Sequence, residues 1–253
     1  MQQDPEFGIE QQVAPSGAEE LIRWAAGRFR DRLALVTSFQ REGMVILNMA
    51  SRVAPGIPVF TLDTGRLPEA THSMIETVRA RYGISVHLVS PDAGEVERMT
   101  TAHGPNLFRQ DVGSRLLCCQ IRKVRPLAKA MAGFDATLVG LRREQSETRA
   151  ALEQVDWRAT PVKLAPLAAW SARDVEEYTA LHGVPENPLY ASGYRSIGCD
   201  PCTRAVQAGE DERAGRWWWE HDADKECGLH FTPDGRARRR VDVLLEEVLA
   251  SRV

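Results

Sequence analysis

The sequence predicts an α/β fold, a doubly wound parallel sheet with helices on both faces, followed by a loop-rich C-terminal segment. Three observations predict it. Short apolar runs of the kind buried on both faces recur at residues 32–39, 57–63, 84–90 and 136–140. Segments of helical length and period separate them, which is the βα alternation of a parallel sheet. Beyond about residue 184 the chain turns to Pro, Gly and Ser and loses regular periodicity.

The elements follow in order. After a polar leader, residues 16–29 (SGAEELIRWAAGRF) place Ser16 and Glu19 at capping-box spacing before apolar residues at helical intervals, predicting a first helix. RLALVTSF (32–39) reads as a buried strand and REGMVILNMASRV (41–53) as the helix after it. IPVFTLD (57–63) is the next strand, and PEATHSMIETVRARYG (68–83) the next helix, with Pro68 tolerated in its first turn. ISVHLVS (84–90) is a third strand, a helical segment surrounds residues 123–132, and ATLVG (136–140) is a later strand. From Pro161 the texture changes to PVKLAPLAAW, and SARDVEEYTALHG opens on Ser171 and Asp174 like another helix start. The expected division is a leader and helix over 1–30, an α/β domain over 31–195, and a C-terminal segment over 196–253.

The chain has 253 residues, 43% hydrophobic and 26% charged, with a formal charge of −3. That balance is ordinary for a soluble globular protein and offers no overall basic field, so no nucleic-acid partner is expected and any anionic ligand must be met by local arginines. The N-terminus has no basic head followed by an apolar stretch, and no long uncharged apolar run occurs later; no membrane partner is expected and the predicted location is cytoplasmic.

The cysteines are Cys118, Cys119, Cys199, Cys202 and Cys227, an odd number in a chain read as cytosolic, so a disulfide scaffold is not expected. Cys118 and Cys119 are adjacent in LLCCQIRKVRPL, where a disulfide between neighbours would strain both peptide and torsion. Cys199 and Cys202 form a C-x-x-C turn able to aim both sulfurs at one centre. Four thiolates suit zinc or a [4Fe–4S] cluster, with redox or structural thiols as the remaining alternative; adjacent ligands are easier to place on the separate irons of a cubane than on one tetrahedral ion. Cys227 stands apart in DKECGLH, where Lys225 and His230 would favour a reactive thiolate, against the plainer reading of a buried terminal cysteine.

Three strand ends carry polar loops that should meet at one crevice. SFQREG (38–43) joins strand to helix, where Ser38, Gln40 and free N–H groups could receive a phosphate or sulfate, or merely cap the helix. It is neither a Walker loop nor the S-G-G-x-D-S loop of ATP pyrophosphatases. Asp63 in LDTGR could accept ribose or adenine hydrogen bonds, or build a turn. Arg142, Arg143 and Arg149 form a loop able to grip phosphate or to lie solvated. Arg213 and Arg216 could add charge near Cys227, Lys123 could stand between the cysteine pair and a bound anion, and RWWWE (216–220) reads as packing.

Taken together, CCQIRKVRPL, GCDPCTRAV, RAGRWWWE and KECGLH resemble the assimilatory adenosine 5′-phosphosulfate reductases, of the family shared with phosphoadenosine phosphosulfate reductases, over about residues 38–230. TSFQREGMV, LDTGR and GLRREQS resemble that family's phosphosulfate loop, nucleoside motif and arginine loop. The resemblance implies an adenine nucleotide α-hydrolase-like fold. It implies a [4Fe–4S] cluster on Cys118, Cys119, Cys199 and Cys202, and a nucleophile at Cys227 in the C-terminal segment. Substrate contacts carry over to Ser38, Phe39 and Gln40, to Leu62, Asp63 and Thr64, and to Gly140, Arg142 and Arg143. They carry over also to Lys123, Arg213, Arg216 and His230. The implied reaction is thioredoxin- or glutaredoxin-dependent reduction of adenosine 5′-phosphosulfate to sulfite and AMP in sulfate assimilation, with the 3′-phosphorylated substrate as the alternative. Cluster-free relatives that prefer that substrate lack the tandem cysteines. The tail after His230 matches no family motif; its last stretch predicts a short amphipathic helix for packing or self-association, and Arg236 to Arg240 a solvated face.

Overall fold

The computed structural model describes residues 14–220 and 235–250. Helix α1 (Ala18–Phe29) leads into β1 (Leu33–Val36), α2 (Arg41–Val53), β2 (Val59–Leu62), α3 (Glu69–Tyr82), β3 (Val86–Val89) and α4 (Ala93–His103). Then come α5 (Val112–Cys119), α6 (Arg125–Met131), β4 (Ala136–Val139), β5 (Val155–Asp156), β6 (Val162–Leu164), α7 (Ala172–His182) and α8 (Gly235–Ala250).

The strands form one sheet in the order β3-β2-β1-β4-β6-β5, parallel except for β5, which runs antiparallel to β6. The doubly wound parallel sheet is therefore present. β1 is its centre, with β2 on one side and β4 on the other in register from Leu33↔Ala136 to Val36↔Val139. The chain winds outward from β1 in both directions, so the loops leaving β1 and β4 part and open a crevice between them.

Burial explains why the short runs are strands. Leu33, Leu35, Ala136, Leu138 and Leu164 are each at most 1% exposed and pack with Leu21 and Ile22 of α1, Met44 and Leu47 of α2, and Val175 of α7. Each fully buried Leu or Ile contributes about 2 kcal/mol of transfer free energy, enough to offset the ordering of so short a strand.

Several local expectations are met, and some are not. The predicted helix start at Ser171 and Asp174 is present, the two forming a capping box on α7, and Gly83 ends α3 in the left-handed region with φ 66°. Ser16 does not cap α1: the N-cap is Gly17, and the Ser16 carbonyl accepts instead from Gln154 Nε2 at 3.1 Å. Pro68 stands at the N-cap of α3, just outside the first turn. The stretch from Val162 to Leu164, where only a change of texture was legible, adds a strand to the sheet. Helix α8 confirms the amphipathic helix of the tail, packed on α4 and α5.

Two glycines set how closely the crevice loops approach. A Cβ on Gly140 would lie 2.7 Å from Gly43 N and 3.0 Å from Glu42 Cβ, and one on Gly43 would lie 2.4 Å from Thr37 Oγ1. The end of β4 thus rests directly on the first turn of α2. Gly140→Ala is expected to force that contact apart and cost about 1–3 kcal/mol of stability, read as a lower urea midpoint with unchanged slope; an unchanged midpoint would show that the contact yields freely.

Candidate active site

The loop leaving β1 is shaped by its own polar groups. Thr37 Oγ1 accepts from Phe39 N at 3.0 Å, and Phe39 takes φ 55°, a conformation strained for a residue with a side chain. The strain is held by burial, since the Phe39 ring is 1% exposed in the main core. The Phe39 side chain therefore faces the core and does not line the crevice. Gln40 stands at the N-cap of α2 but caps nothing; its Nε2 donates to Ser38 Oγ at 3.0 Å and its Oε1 accepts from Ile197 N at 2.9 Å. It ties the loop to the segment that carries Cys199.

After β2, Asp63 Oδ1 accepts from Gly65 N at 2.8 Å, closing a turn in which Gly65 has φ 69°, and Oδ2 lies 3.4 Å from His72 Nε2. Asp63 builds the turn and is not among the residues lining the crevice, whereas its neighbours Leu62 and Thr64 are. Thr64 reaches the cysteines, its Oγ1 lying 3.2 Å from Cys199 Sγ and its carbonyl accepting from Arg122 Nη1 at 2.7 Å.

In the loop after β4, Arg142 lines the crevice while Arg143 is exposed outside it, its Nε donating to the Leu152 carbonyl at 2.9 Å. Arg142 is 2% exposed, and its Nε donates to Glu42 Oε1 at 2.8 Å. A buried guanidinium needs such a partner, and so does the buried carboxylate. Glu212 lies 3.9 Å from Arg142 Nη2; burial and the nearby Glu42 raise its pKa against the pull of Arg142.

These loops enclose a cleft of about 660 Å³. Of the predicted residues it brings together Ser38, Gln40, Leu62, Thr64, Lys123, Gly140, Arg142, Arg213 and Arg216. Arg149 lines it too, as do Lys163 and Arg195, which no motif singled out. Arg195 sits four residues before Cys199, a placement that could have flagged it.

The cysteine pairs converge behind the cleft. Asp111 caps α5 by accepting from Ser114 N at 2.8 Å, and Cys118 and Cys119 end that helix. The next residues, Gln120–Val124, form a π-helical turn before α6 resumes. Such a turn widens the helix and re-aims side chains, and it occurs often at functional sites. Cys199 and Cys202 sit on a 3₁₀ turn fixed by Cys202 N donating to the Cys199 carbonyl at 3.0 Å and by Thr203 Oγ1 donating to the same carbonyl at 2.9 Å. Trp217 N donates to the Cys202 carbonyl at 3.2 Å, so RWWWE packs against this turn.

All four cysteines line one small cavity with Phe108, Arg115, Arg122, Lys123 and Trp217. Lys123 and Trp217 line the cleft as well, so these two residues form the wall between the spaces. Burial, then the neighbouring sulfurs, pushes the Cys118 thiol up to about 12, and burial with Cys199 does the same to Cys202. At Cys199 burial also works upward, but it is outweighed by the Lys123 ammonium, the Thr64 hydrogen bond and Arg216, and its pKa is lowered. Among the described residues no three His, Cys, Asp or Glu groups converge on a position for a single metal ion. The sulfurs surround a space.

The shell is rich in donors and positive charge. Arg115 is 1% exposed and bonds Glu220 Oε1 at 2.7 Å, and the guanidinium groups of Arg115 and Arg216 each lie 4.5 Å from the Trp217 ring centroid. The buried Arg122 Nε, Arg216 Nε and Trp217 Nε1 have no hydrogen-bond partner among the described residues. Orphaned donors beside buried sulfurs fit a negatively charged sulfur-ligated group. Gly198 permits this packing, since a Cβ there would lie 2.3 Å from Arg216 Nη2. Cys227 and His230 lie outside the described residues.

The sequence profile of the phosphoadenosine phosphosulfate reductase domain matches residues 32–205. An adenosine 5′-phosphosulfate reductase of Burkholderia cepacia is 46% identical over 208 residues, covering 81% of this chain and 83% of that one. One of Allochromatium vinosum is 45% identical over 202 residues, 79% of each. The phosphoadenylyl-sulfate reductase of Candida auris, solved as a phosphate complex, superposes with TM-score 0.63 at 29% identity, over 75% of this chain and 90% of that one.

Breaking the buried pair tests the cleft's foundation. Glu42→Ala leaves the Arg142 guanidinium buried without its carboxylate and is expected to destabilise by about 3–5 kcal/mol in chemical denaturation. A loss under about 1 kcal/mol would mean that water replaces the carboxylate at little cost.

Proposed function

Because the chain belongs to the phosphoadenosine phosphosulfate reductase family, we propose that it reduces adenosine 5′-phosphosulfate to sulfite and AMP, with thioredoxin or glutaredoxin as reductant and Cys227 as nucleophile. The observation that carries the proposal is the shared wall: Lys123 and Trp217 border both the anion-binding cleft and the four-cysteine cavity.

The substrate is a dianion, and the attacking thiolate adds a further negative charge. Lys123, Arg142, Arg149, Arg213 and Arg216 line the cleft and offset that charge, while the first turn of α2 offers main-chain N–H groups to the phosphosulfate. The Cys227 thiolate forms a bond to the substrate sulfur as the bond from sulfur to the AMP oxygen breaks, leaving an S-sulfocysteine. A reductant thiolate then attacks Cys227 Sγ and sulfite departs with the bonding pair. The second reductant thiol resolves the mixed disulfide, and both electrons come from the dithiol.

The donor set of Cys118, Cys119, Cys199 and Cys202, ringed by buried cations, supports a [4Fe–4S] cluster as resident cofactor. When bound, it would supply a fixed charge polarising the site, without shuttling electrons. Lys123 would then face that charge on one side and the substrate on the other, and Thr64 and Arg122 would orient the sulfurs. A second reading, reduction of the 3′-phosphorylated substrate, draws on Lys163 and Arg195, cleft cations beyond the predicted anion loops. Turnover on both substrates distinguishes them.

Protein incubated with adenosine 5′-phosphosulfate and no reductant is expected to carry a sulfonate adduct on Cys227 by mass spectrometry, absent in Cys227→Ser; an adduct confined to another cysteine would overturn the assignment. Anaerobically purified protein is expected to hold about four iron and about four sulfide per chain and to absorb in the visible, both lost in Cys199→Ala. Stoichiometric zinc without colour would remove the cluster.

A further inference from the structure

Resting on that cluster reading, we propose that the C-terminal helix α8 is a positioning element of the cysteine site: it clamps the helix that carries Cys118 and Cys119 and thereby sets how firmly their sulfurs are held.

The helix presents one apolar stripe. Val241 and Val248 are buried, at 8% and 1% exposure, and Leu244 and Leu245 are partly buried between them, while Asp242, Glu246 and Glu247 are exposed. Val248 packs with Leu117 and Ile121, which flank the tandem cysteines in sequence, and with Met99 of α4. Cys118 touches this cluster and also the cluster that holds Cys199, Cys202 and Trp217. The Val248 carbonyl, near the C-terminal end of α8, accepts from Arg98 Nε of α4 at 3.0 Å. α8 is thereby fastened to α4 and pressed on α5 together.

The support falls where the backbone needs it. Gln120–Val124 are π-helical, so the hydrogen-bond ladder is irregular immediately after Cys119. The Arg115–Glu220 pair and the turn at Leu107–Arg109 also brace α5. α8 supplies an apolar brace of its own from residues outside the 32–205 match to the family profile.

The test uses full-length Val248→Asp, with Val243→Asp as control, since Val243 is 54% exposed on the same helix. Iron and sulfide per chain and the rate of bleaching under an iron chelator are measured beside AMP binding and far-UV circular dichroism. Val248→Asp should bleach about tenfold faster and lose iron while still binding AMP, because a buried carboxylate opens the α8–α5 contact locally. Val243→Asp should match the wild type, and Val248→Ile should restore the slow rate. Wild-type iron content and bleaching in Val248→Asp would overturn the proposal. Should Val248→Asp also lose AMP binding, Val248→Ala decides: faster bleaching with AMP binding intact supports the clamp, and an unchanged rate overturns it. Iron-free wild-type protein would instead sink the cluster reading, and this proposal with it.

Discussion

Four sulfurs gathered in one buried cavity pose an electrostatic problem on which the surrounding structure depends. Each deprotonated sulfur in a low-dielectric site demands opposite charge or donors nearby, as the raised pKa values of Cys118 and Cys202 record. The cations that answer this demand, Arg115, Arg122, Lys123 and Arg216, are themselves drawn from water and need anions or rings to rest on. Arg115 has Glu220, and the Trp217 ring lies against both Arg115 and Arg216. Helix α5, the Cys199–Cys202 turn and RWWWE therefore depend on one another, although the first ends 80 residues before Cys199 and 97 before Arg216.

The same economy of contact shapes the cleft. Two glycines, at 140 and 198, mark places where another segment occupies the volume of a Cβ: the first turn of α2 in one case and the Arg216 guanidinium in the other. The first brings the anion loops together at the sheet's switch point, and the second brings a cation close to the sulfurs. Lys123 follows directly on the tandem-cysteine segment and so reaches both spaces from one backbone position.

Much of this was legible in the sequence, and the exceptions have physical causes. The strands β1 and β4 stood out because burial on both faces leaves unbroken apolar runs, β3 was legible from its apolar run although Leu88 is half exposed at the sheet edge, and the cysteine groups stood out through spacing alone. What spacing could not convey was which way a side chain faces. Phe39, Asp63 and Arg143 sit within the motifs that line the cleft, yet they turn to the core, to a turn and to a neighbouring loop's carbonyl. Motifs describe backbone placement, and the alternate residues of a loop point elsewhere. Arg142 was legible as a cleft residue, but its buried bond to Glu42 joins positions 100 apart and has no local signature. The capping pattern at Ser16 lost to Gly17 once the Ser16 carbonyl was drawn to Gln154. The third residue of the β6 run, Leu164, is fully buried, but a three-residue strand carries too little periodicity to be read.

Gln40 has an evolutionary corollary. Its carboxamide oxygen grips the main-chain N–H of Ile197, not a side chain. The grip itself survives any side chain but proline at position 197, and what restricts that position is the burial of Ile197 at 3% exposure. Adding or deleting one residue between Tyr190 and Cys199 would shift every amide past its acceptor. That stretch is thus bound in length by one amide and in spelling by Gly198, whose missing Cβ the Arg216 guanidinium occupies.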